Sequence, residues 1–497
     1  MGGLLLTMML GAMNQTVIAP ALPTMVGELG GADQIVWAVT AFILASTVTM
    51  PIYGRLGDLA GRRNVLVGAI AVFAAGSLVG ALAGNMPVLI LGRALQGLGA
   101  GGLLTSSQAV IADIVPARER GPYMALNSAV FALSSVGGPL LGGWLTDGPG
   151  WRWTFWINLP LAVLATTAAL AFVRLPARPR TRLKPDYAGM ALLALVTSGF
   201  VLTTSWLFSG VLWSGPRYLA VGAATVLAAG ALVVVEHRAA QPVIPPAMFR
   251  SRTLSLACGA SLLIGLSMFG ALSYMPMWFQ MVAGASPTAS GLLIMPMMVS
   301  GTVGSLVGGQ VMRRTGRYRL LLSTGGLLVT TGLFLLSLLE TSSPAWRGGL
   351  AMGVLGLGMG ASAQLVVVVV QNSFPRAVGA ATGLTNYFRQ IGASLGAAVV
   401  GAVFGARLVE QFDEHLVAGH WLMEYVGTIT PDLVRMLSST DHAAVTSAFN
   451  DALTPVYLAV TPLGVVAAIL FALIPHTPLA RTIVDASQAE PIKELAP

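Results

Sequence analysis

Long apolar runs alternate with short polar turns along the whole chain. A helix needs roughly 20 apolar residues to cross a bilayer, and the runs have about this length. The pattern therefore predicts spanning helices at residues 3–23, 33–54, 64–84, 88–112, 122–146, 154–174, 187–208, 217–236, 253–282, 288–311, 320–339, 347–370, 377–404 and 454–474. These are fourteen spans, numbered in chain order, and an even number leaves both chain ends on one side of the membrane.

The composition of the chain is also that of a membrane protein. Hydrophobic residues make up 55% of the chain and charged residues 9%, whereas a soluble protein carries about 25% charged residues. The single cysteine, Cys258, lies in an apolar run and excludes a disulfide framework or a thiolate metal site. The first run starts at Met1 without a basic region or a small-residue cleavage site, so we expect a retained span and not a signal peptide.

The basic residues lie mainly in the short loops on one side of the predicted spans. A net charge of +8 could indicate nucleic acid, but this distribution is the positive-inside pattern of a membrane protein. It predicts a multi-pass protein of the plasma membrane with both termini cytoplasmic, in contact with the lipid bilayer and not with nucleic acid. The ten tryptophans lie at or beyond the opposite ends of the spans and favour the same orientation.

One polar turn occurs twice. The first copy reads Gly54-Arg-Leu-Gly-Asp58-Leu-Ala-Gly61-Arg62-Arg63, and the second reads Gly309-Gln-Val-Met-Arg313-Arg-Thr-Gly316-Arg317. The glycines and the following arginine have the same spacing in both copies, although Arg313 occupies the position equivalent to Asp58. The repeat indicates two related halves. The first copy resembles the motif G-x-x-x-D-x-x-G-R-[RK] that the major facilitator superfamily carries between its second and third helices.

The resemblance implies an all-α polytopic membrane protein with the major facilitator fold. Six spans, an inserted hairpin of two and six further spans match the fourteen-span drug:proton antiporter branch, in which two six-helix bundles of inverted repeats enclose a substrate site at mid-membrane. The expected divisions are an N-terminal bundle at 1–174, a linker with two extra spans at 175–252, a C-terminal bundle at 253–474 with a long outer loop at 405–453, and a cytoplasmic tail at 475–497. We expect a short helix or hairpin within that loop.

The repeated turns predict a latch between the halves on the cytoplasmic side. Glycines allow close backbone approach, and Asp58 can face the N-terminus of a neighbouring helix or the arginines. The predicted gating residues are Gly54, Asp58, Gly61, Arg62, Arg63, Asp113, Arg313 and Arg317. A loop that only sets the topology would explain the arginines, but it would not explain Asp58 or the repeat.

An arginine lies within the fourth span, in Leu91-Gly-Arg93-Ala-Leu-Gln96-Gly97. At membrane depth it costs several kcal/mol unless it faces the bundle interior or water. The stretch resembles the family motif l-x-x-x-R-x-x-q-G, whose arginine is assigned to proton coupling. The resemblance therefore implies a coupling role for Arg93 and Gln96. The alternative is an arginine that only ties helices together through nearby carbonyl groups.

Two further stretches resemble motifs of this branch. Gly138, Pro139, Gly142 and Gly143 in the fifth span fit g-x-x-x-G-P-x-x-G-G, which is associated with exporters, although ordinary close packing would also use these glycines. The stretch 151–160 fits W-R-W-x-F-x-I-N-x-P, and we interpret it as a structural anchor.

The thirteenth span contains Asn386, Arg389 and Gln390 in a stretch that resembles G-x-x-x-G-x-x-N-x-x-R-Q-x-G. Asn386 and Arg389 are three apart and share a helix face, which predicts a cavity lining or, alternatively, bonding between helices. Tyr274 and Gln280 accompany a group of methionines in spans 9 and 10. Such residues can form an adaptable wall for apolar ligands, or they can be core and lipid-facing positions.

The first span departs from the branch. Met13-Asn14-Gln15-Thr16 stands where the branch has L-D-x-T, so Asn14 replaces the expected membrane carboxylate and cannot titrate. No other acidic residue lies deep in a predicted span. Either the chain carries an aspartate-to-asparagine change, or the natural protein couples differently. With Asn14 and Gln15 in the cavity, we expect neutral or anionic lipophilic substrates rather than strongly cationic ones.

The resemblance implies a monomeric, non-enzymatic bacterial exporter of lipophilic small molecules that works by alternating access. The resemblance implies proton antiport, with the proton gradient as energy source and no cofactor. No phosphate-binding loop is present, and His415 and His420 beside outer acidic residues are only a weak metal pattern, so we expect no metal. The alternatives are a differently coupled or uncoupled exporter of an endogenous metabolite or lipid, and a non-transporting membrane receptor or scaffold.

Overall fold

The computed structural model describes residues 2–31, 34–172, 184–208, 216–415 and 429–483. Fourteen helices in this part of the chain are long and apolar enough to cross a membrane. They are α1 (Gly2–Leu29), α2 (Ile35–Ala60), α3 (Arg62–Ala81), α4 (Met86–Ile114), α5 (Arg120–Asp147), α6 (Asn158–Phe172), α7 (Tyr187–Phe208), α8 (Pro216–Arg238), α9 (Arg252–Met281), α10 (Pro287–Thr315), α11 (Tyr318–Ser337), α12 (Ala345–Ser373), α13 (Val378–His415) and α14 (Ser439–Leu473).

Local sequence explains where these helices begin and break. Asn85 caps α4 by accepting a hydrogen bond from the Val88 backbone at 3.0 Å, and Ser286 caps α10 in the same way. A 3₁₀ turn at Ala19–Ala21 interrupts α1, because Pro20 and Pro23 remove backbone donors there. The fourteen predicted spans are therefore confirmed, with shifts at their ends.

The two bundles have the same internal arrangement. In the first, α4 packs against α2 and α3, α1 packs against α5, and α6 packs against α3. In the second, α12 packs against α10 and α11, α9 packs against α13, and α14 packs against α11. Each contact recurs eight helices later, so the duplication indicated by the repeated turn holds for the whole bundle. The halves meet where α2 contacts α13 and where α5 contacts α10.

The inserted hairpin packs on one side of this junction. Its two helices pack together, and α7 also contacts α13 and α2. Thr197 on α7 shares a hydrogen bond of 2.9 Å with the Tyr387 hydroxyl on α13. On α8, Val226 and Leu227 are exposed, as expected for a lipid-facing helix. The predicted linker before α7 lies mostly outside the described residues, which resume at Lys184.

The outer segment 405–453 differs from the expected long loop. The helix α13 continues to His415, α14 begins at Ser439, and a short helix covers Pro431–Met436. The extensions are helical because they carry an apolar stripe: Phe412 packs edge-on against Phe449, with ring centroids 6.2 Å apart. Span 14 was therefore predicted to begin too late. His420 lies outside the described residues, and the described part of the chain has no metal-binding cluster.

The stretch 151–160 has the anchoring contacts expected of it. The Trp151 indole donates to Glu28 at 2.6 Å, and Arg152 donates to the other Glu28 oxygen at 2.5 Å and to the Ala83 carbonyl at 3.1 Å. These bonds tie the ends of α1 and α3 to the segment before α6.

Candidate functional site

The two halves cross closely at the end of the bundle that carries both repeated turns, which we call the basic end. On α2 and α13, Gly54 faces Gly379, and a side chain on either glycine would collide with the carbonyl group of the other. On α5 and α10, Gly121 faces Gly309 in the same way. Gly54 and Gly309 hold the same place in the repeat, so the basic end is closed by two equivalent crossings.

At the first crossing, Asp58 binds the N-terminus of α13. Its Oδ1 atom accepts from the Gly379 backbone at 3.0 Å, and its Oδ2 atom accepts from the Ala380 backbone at 2.8 Å. A carboxylate is favoured there by the unpaired N–H groups and by the helix dipole. The side chain of Arg62 holds this carboxylate at 2.9 Å and Asp113 at 2.5 Å. The structure thus brings the predicted Gly54, Asp58, Arg62 and Asp113 together.

The second crossing has the opposite polarity. Arg118, which precedes α5, donates to the carbonyl groups of Arg313 and Arg314 at the C-terminus of α10, at 3.0 Å each. A cation is favoured at a helix C-terminus, whereas Asp58 meets a helix N-terminus. Only the backbone of Arg313 takes part, and the side chains of Arg313 and Arg317 are exposed. The structure therefore does not bring these two side chains to the crossing.

Sequence reasoning missed Arg118. A usable signal existed, because Arg118 precedes Gly121 by the same three positions that separate Arg376 from Gly379. The turn glycines are explained by backbone geometry: Gly61 has φ of 93° and Gly316 has φ of 70°, which side chains disfavour. Arg63 is half-buried beside this turn.

A cavity of about 500 Å³ lies between the halves. Residues of α1, α2, α7, α9 and α13 line it, and the polar ones include Gln15, Thr40, Thr47, Ser273, Tyr274 and Gln390. Gln390 lies on α13, roughly 16 Å from the crossing at Gly379 at 1.5 Å per residue. The crossing of α2 and α13 therefore lies between the cavity and the basic end of these helices. No charged side chain is among the lining residues that the structure describes.

Of the predicted cavity residues, Gln15, Tyr274 and Gln390 line this cavity. The Tyr274 hydroxyl donates to the Ala397 carbonyl at 3.1 Å, which fixes its ring at the wall. Gln280 is half-buried near the end of α9 and is not among the lining residues. The methionines do not form the wall either, because Met275, Met281 and Met297 are buried in the hydrophobic core, among other apolar side chains.

Arg93 is fully buried behind the cavity. It donates to the Asn14 side-chain oxygen, to the Ala38 carbonyl at 2.9 Å and to Gln96 at 3.0 Å. Its guanidinium carbon lies 4.3 Å from the centre of the Phe42 ring. These contacts tie α1, α2 and α4 together. Within the described residues no carboxylate balances the charge, and one terminal nitrogen of Arg93 has no acceptor.

A chain of amide groups crosses between the halves near the first crossing. Asn386 on α13 donates to the Gln108 side chain on α4 at 2.7 Å, and Arg389 donates to Asn386 at 3.0 Å. Gln371 on α12 donates to the Gln108 carbonyl across the halves at 3.4 Å and to Thr382 on α13 at 3.0 Å. Asn386 therefore bonds α13 to α4, Arg389 is held against Asn386 on the same helix, and neither residue is among those that line the cavity. Gln108 was missed, although a glutamine inside an apolar span is itself a signal.

The exporter-type stretch of α5 packs against α1. A side chain on Gly138 would collide with Thr16, and one on Gly142 would collide with the Val17 carbonyl. Pro139 lies between them within α5, while Gly143 faces open space. This close contact holds α1, which carries Asn14 and Gln15, against α5 within the N-terminal bundle.

Comparison with known proteins identifies the family. The family model described as Major Facilitator Superfamily matches residues 4–397. The chain belongs to the Major Facilitator Superfamily. It is therefore a transport protein and not an enzyme.

Similar proteins carry transporter names. An uncharacterised transporter of this superfamily from Mycobacterium tuberculosis is 37% identical over 95% of this chain and 68% of its own length. The multidrug transporter protein MdtP of Bacillus subtilis is 32% identical over 84% of this chain and 76% of its own. The efflux pump FUS6 of Gibberella moniliformis is 32% identical over 80% of this chain and 72% of its own length.

Solved structures share the fold. The human organic anion transporter MFSD10 superposes with a TM-score of 0.59 at 17% identity, covering 93% of this chain and 98% of its own. The proton:xylose symporter XylE bound to 6-bromo-6-deoxy-D-glucose gives a TM-score of 0.58 at 16% identity, covering 95% and 94%. At this identity the likeness concerns the fold alone. The predicted major facilitator architecture is confirmed.

Proposed function

We propose that this protein exports lipophilic small molecules across the plasma membrane by alternating access, as a monomer driven by proton antiport. The observation that supports export most directly is the cavity lined by Gln15, Tyr274 and Gln390, on whose basic side α2 and α13 cross at Gly54 and Gly379. Relatives named as a multidrug transporter and as an efflux pump agree with this proposal.

The cavity chemistry favours particular substrates. Its wall mixes amide and hydroxyl groups with apolar side chains such as Phe269 and Val201, and no carboxylate is among its described lining residues. A cationic compound would therefore lack a counter-charge in a region of low dielectric constant, where an unpaired charge is costly. Neutral or anionic lipophilic compounds fit this wall better.

Alternating access requires that both crossings separate. The contacts that hold them are suited to this, because Asp58 and Arg118 bind the backbone ends of helices across the interface. Water can replace each of these hydrogen bonds when the halves part, so each bond contributes only about 1–3 kcal/mol. The same residues can then return to the closed state.

Export can be tested in proteoliposomes with an imposed pH gradient and one anionic and one cationic fluorescent dye of similar size. The protein should export the anionic dye, and export should stop when the gradient is collapsed. Export that persists without a gradient would instead support the differently coupled exporter.

The variant Asn14→Asp tests the coupling role of α1. A carboxylate at this place would lie beside Arg93 and could titrate, so pH-driven export of the cationic dye should rise above that of the unchanged protein. Equal export of both dyes by both proteins would remove Asn14 from the coupling mechanism.

A non-transporting scaffold is separated from a transporter by motion. Spin labels can be attached in a Cys258→Ala background at Asn64 and Leu320, which are exposed on the two halves. Addition of the exported dye should change the distance between the labels. A distance between the labels that stays the same with every dye tested would support a scaffold.

A further inference from the structure

Two carboxyl groups meet at the basic end of the inserted hairpin. Asp186 stands at the start of α7, where its Oδ1 atom accepts from the Gly189 backbone at 2.8 Å. Glu236 lies in the last turn of α8 and is only 4% exposed. Its Oε2 atom accepts from the Ile244 backbone at 2.9 Å. One oxygen of each carboxyl group is therefore satisfied by the backbone.

The second oxygen of each group is buried without a hydrogen-bond partner, namely Oδ2 of Asp186 and Oε1 of Glu236. Both atoms border the same point, because a methyl group on Gly189 would contact both of them. Buried acceptors normally have a donor. Two charged carboxylates in one site also repel each other. A single proton bound by this pair removes the repulsion, and the protonated carboxyl group can also donate a hydrogen bond.

The surrounding charges fit one bound proton. Arg55 on α2 lies near both Asp58 and Glu236, and its Nε atom is buried without an acceptor. On α8 itself, His237 and Arg238 are exposed on the surface. Two carboxylates and one guanidinium carry a net charge of −1. Binding one proton offsets this excess negative charge, which is costly where a carboxyl group is buried.

We propose that Asp186 and Glu236 share one proton and form a proton-binding site at the basic end of the hairpin. This deepens the proposed proton antiport and rests on it for its role in transport, although proton binding itself can be measured without transport. Binding converts one carboxylate to a carboxylic acid, and release restores both charges beside Arg55. Because Arg55 and Asp58 are three apart on α2, they share a face, and the bound proton acts next to the first crossing.

Proton binding is tested on the purified full-length protein with dicyclohexylcarbodiimide, which modifies protonated carboxyl groups in apolar surroundings. Peptide mass spectrometry over a pH series should show modification of Glu236 that falls as the pH rises. In Asp186→Asn the fall should occur at lower pH, because the neighbouring negative charge that favours the protonated form is gone. The exposed Glu410 supplies the matched control, and Glu410→Gln should leave the Glu236 profile unchanged.

Infrared difference spectra over the same pH series keep the test decisive if the reagent cannot enter the site. A carbonyl band of a protonated carboxyl group should titrate in the unchanged protein and disappear in Glu236→Gln, which resembles the protonated side chain in shape. The proposal is overturned if Glu236 is unmodified and this band is also absent, or if the profiles of the unchanged protein and Asp186→Asn coincide.

Transport in proteoliposomes then tests the role of the site. Glu236→Gln should lose export driven by the pH gradient but keep dye exchange without a gradient, because a permanently neutral site cannot load and release a proton. Full gradient-driven export by Glu236→Gln would exclude this pair from coupling. If the unchanged protein exports no dye while Glu236 still titrates, the proposed function fails and the proton site stands.

Discussion

Replacing Asp58 by asparagine should open the basic end. The side chain keeps its size and one acceptor oxygen, but it loses the charge that binds the N-terminus of α13. We expect the population with separated halves to rise, because the hydrogen bonds from Gly379 and Ala380, at 3.0 and 2.8 Å, exist only in the closed state.

The size of the effect follows from these two bonds. A hydrogen bond to a charged group contributes about 1.5–3 kcal/mol, and one between neutral groups about 0.5–1.5 kcal/mol. An amide group has only one acceptor oxygen, so Asp58→Asn weakens one bond by roughly 1 kcal/mol and loses the other, which contributes about 2 kcal/mol. The loss of about 3 kcal/mol shifts the closed-to-open ratio roughly 100-fold, since 1.4 kcal/mol corresponds to a factor of ten. The pair between Arg62 and Asp58 lies within one half and does not enter this difference directly.

Distances between spin labels at Asn64 and Leu320 in the Cys258→Ala background measure this ratio. The matched control is Arg313→Ala, which changes the same place in the other copy of the turn. Its side chain is exposed and only its backbone contacts Arg118, so the distance distribution should not change. Equal shifts in both variants, or no shift in Asp58→Asn, would refute the assignment of the latch to the Asp58 carboxylate.

Two further changes test the second crossing and the cavity. Gly309→Ala places a methyl group against the backbone of Gly121, and overpacking of this kind costs about 1–3 kcal/mol. The distances between the same labels should show a larger open population. An unchanged distribution would contradict a role of the second crossing in closing the basic end. Val201→Trp puts a large ring into the cavity wall contributed by α7, so the largest dyes should be exported more slowly than small ones, while an equal rate for all dyes would place α7 outside the substrate path.

The number and order of the helices could be predicted because spanning a bilayer depends on length and composition, which are local properties of the sequence. The beginning of α14 could not, since Ser439–Leu473 starts with an amphipathic extension whose partner Phe412 lies on another helix. An apolar run identifies the part of a helix that crosses the bilayer, and it does not show how far the helix continues beyond it.

The site was less predictable because its contacts join distant parts of the chain. The repeat predicted that Asp58 closes the basic end, but its partners Gly379 and Ala380 depend on how α2 crosses α13. Equivalence of position also did not imply equivalence of chemistry. Asp58 meets the N-terminus of a helix, whereas Arg313 ends one, so the second copy needs a cation from elsewhere, and Arg118 supplies it.

The position of the hairpin gives the fourteen-helix plan a physical consequence. The helix α7 packs on both α2 and α13, the two helices that must separate at the first crossing. At its basic end it holds Asp186 against Glu236, and in its interior it binds Tyr387 of α13 through Thr197. A charge that forms or disappears at this carboxyl pair therefore acts on both sides of the junction at once. Arg55 carries the opposite charge near this pair, and Asp58 lies one helical turn further along α2. The hairpin can therefore link the protonation state of the carboxyl pair to the opening of the basic end without a titrating group at mid-membrane.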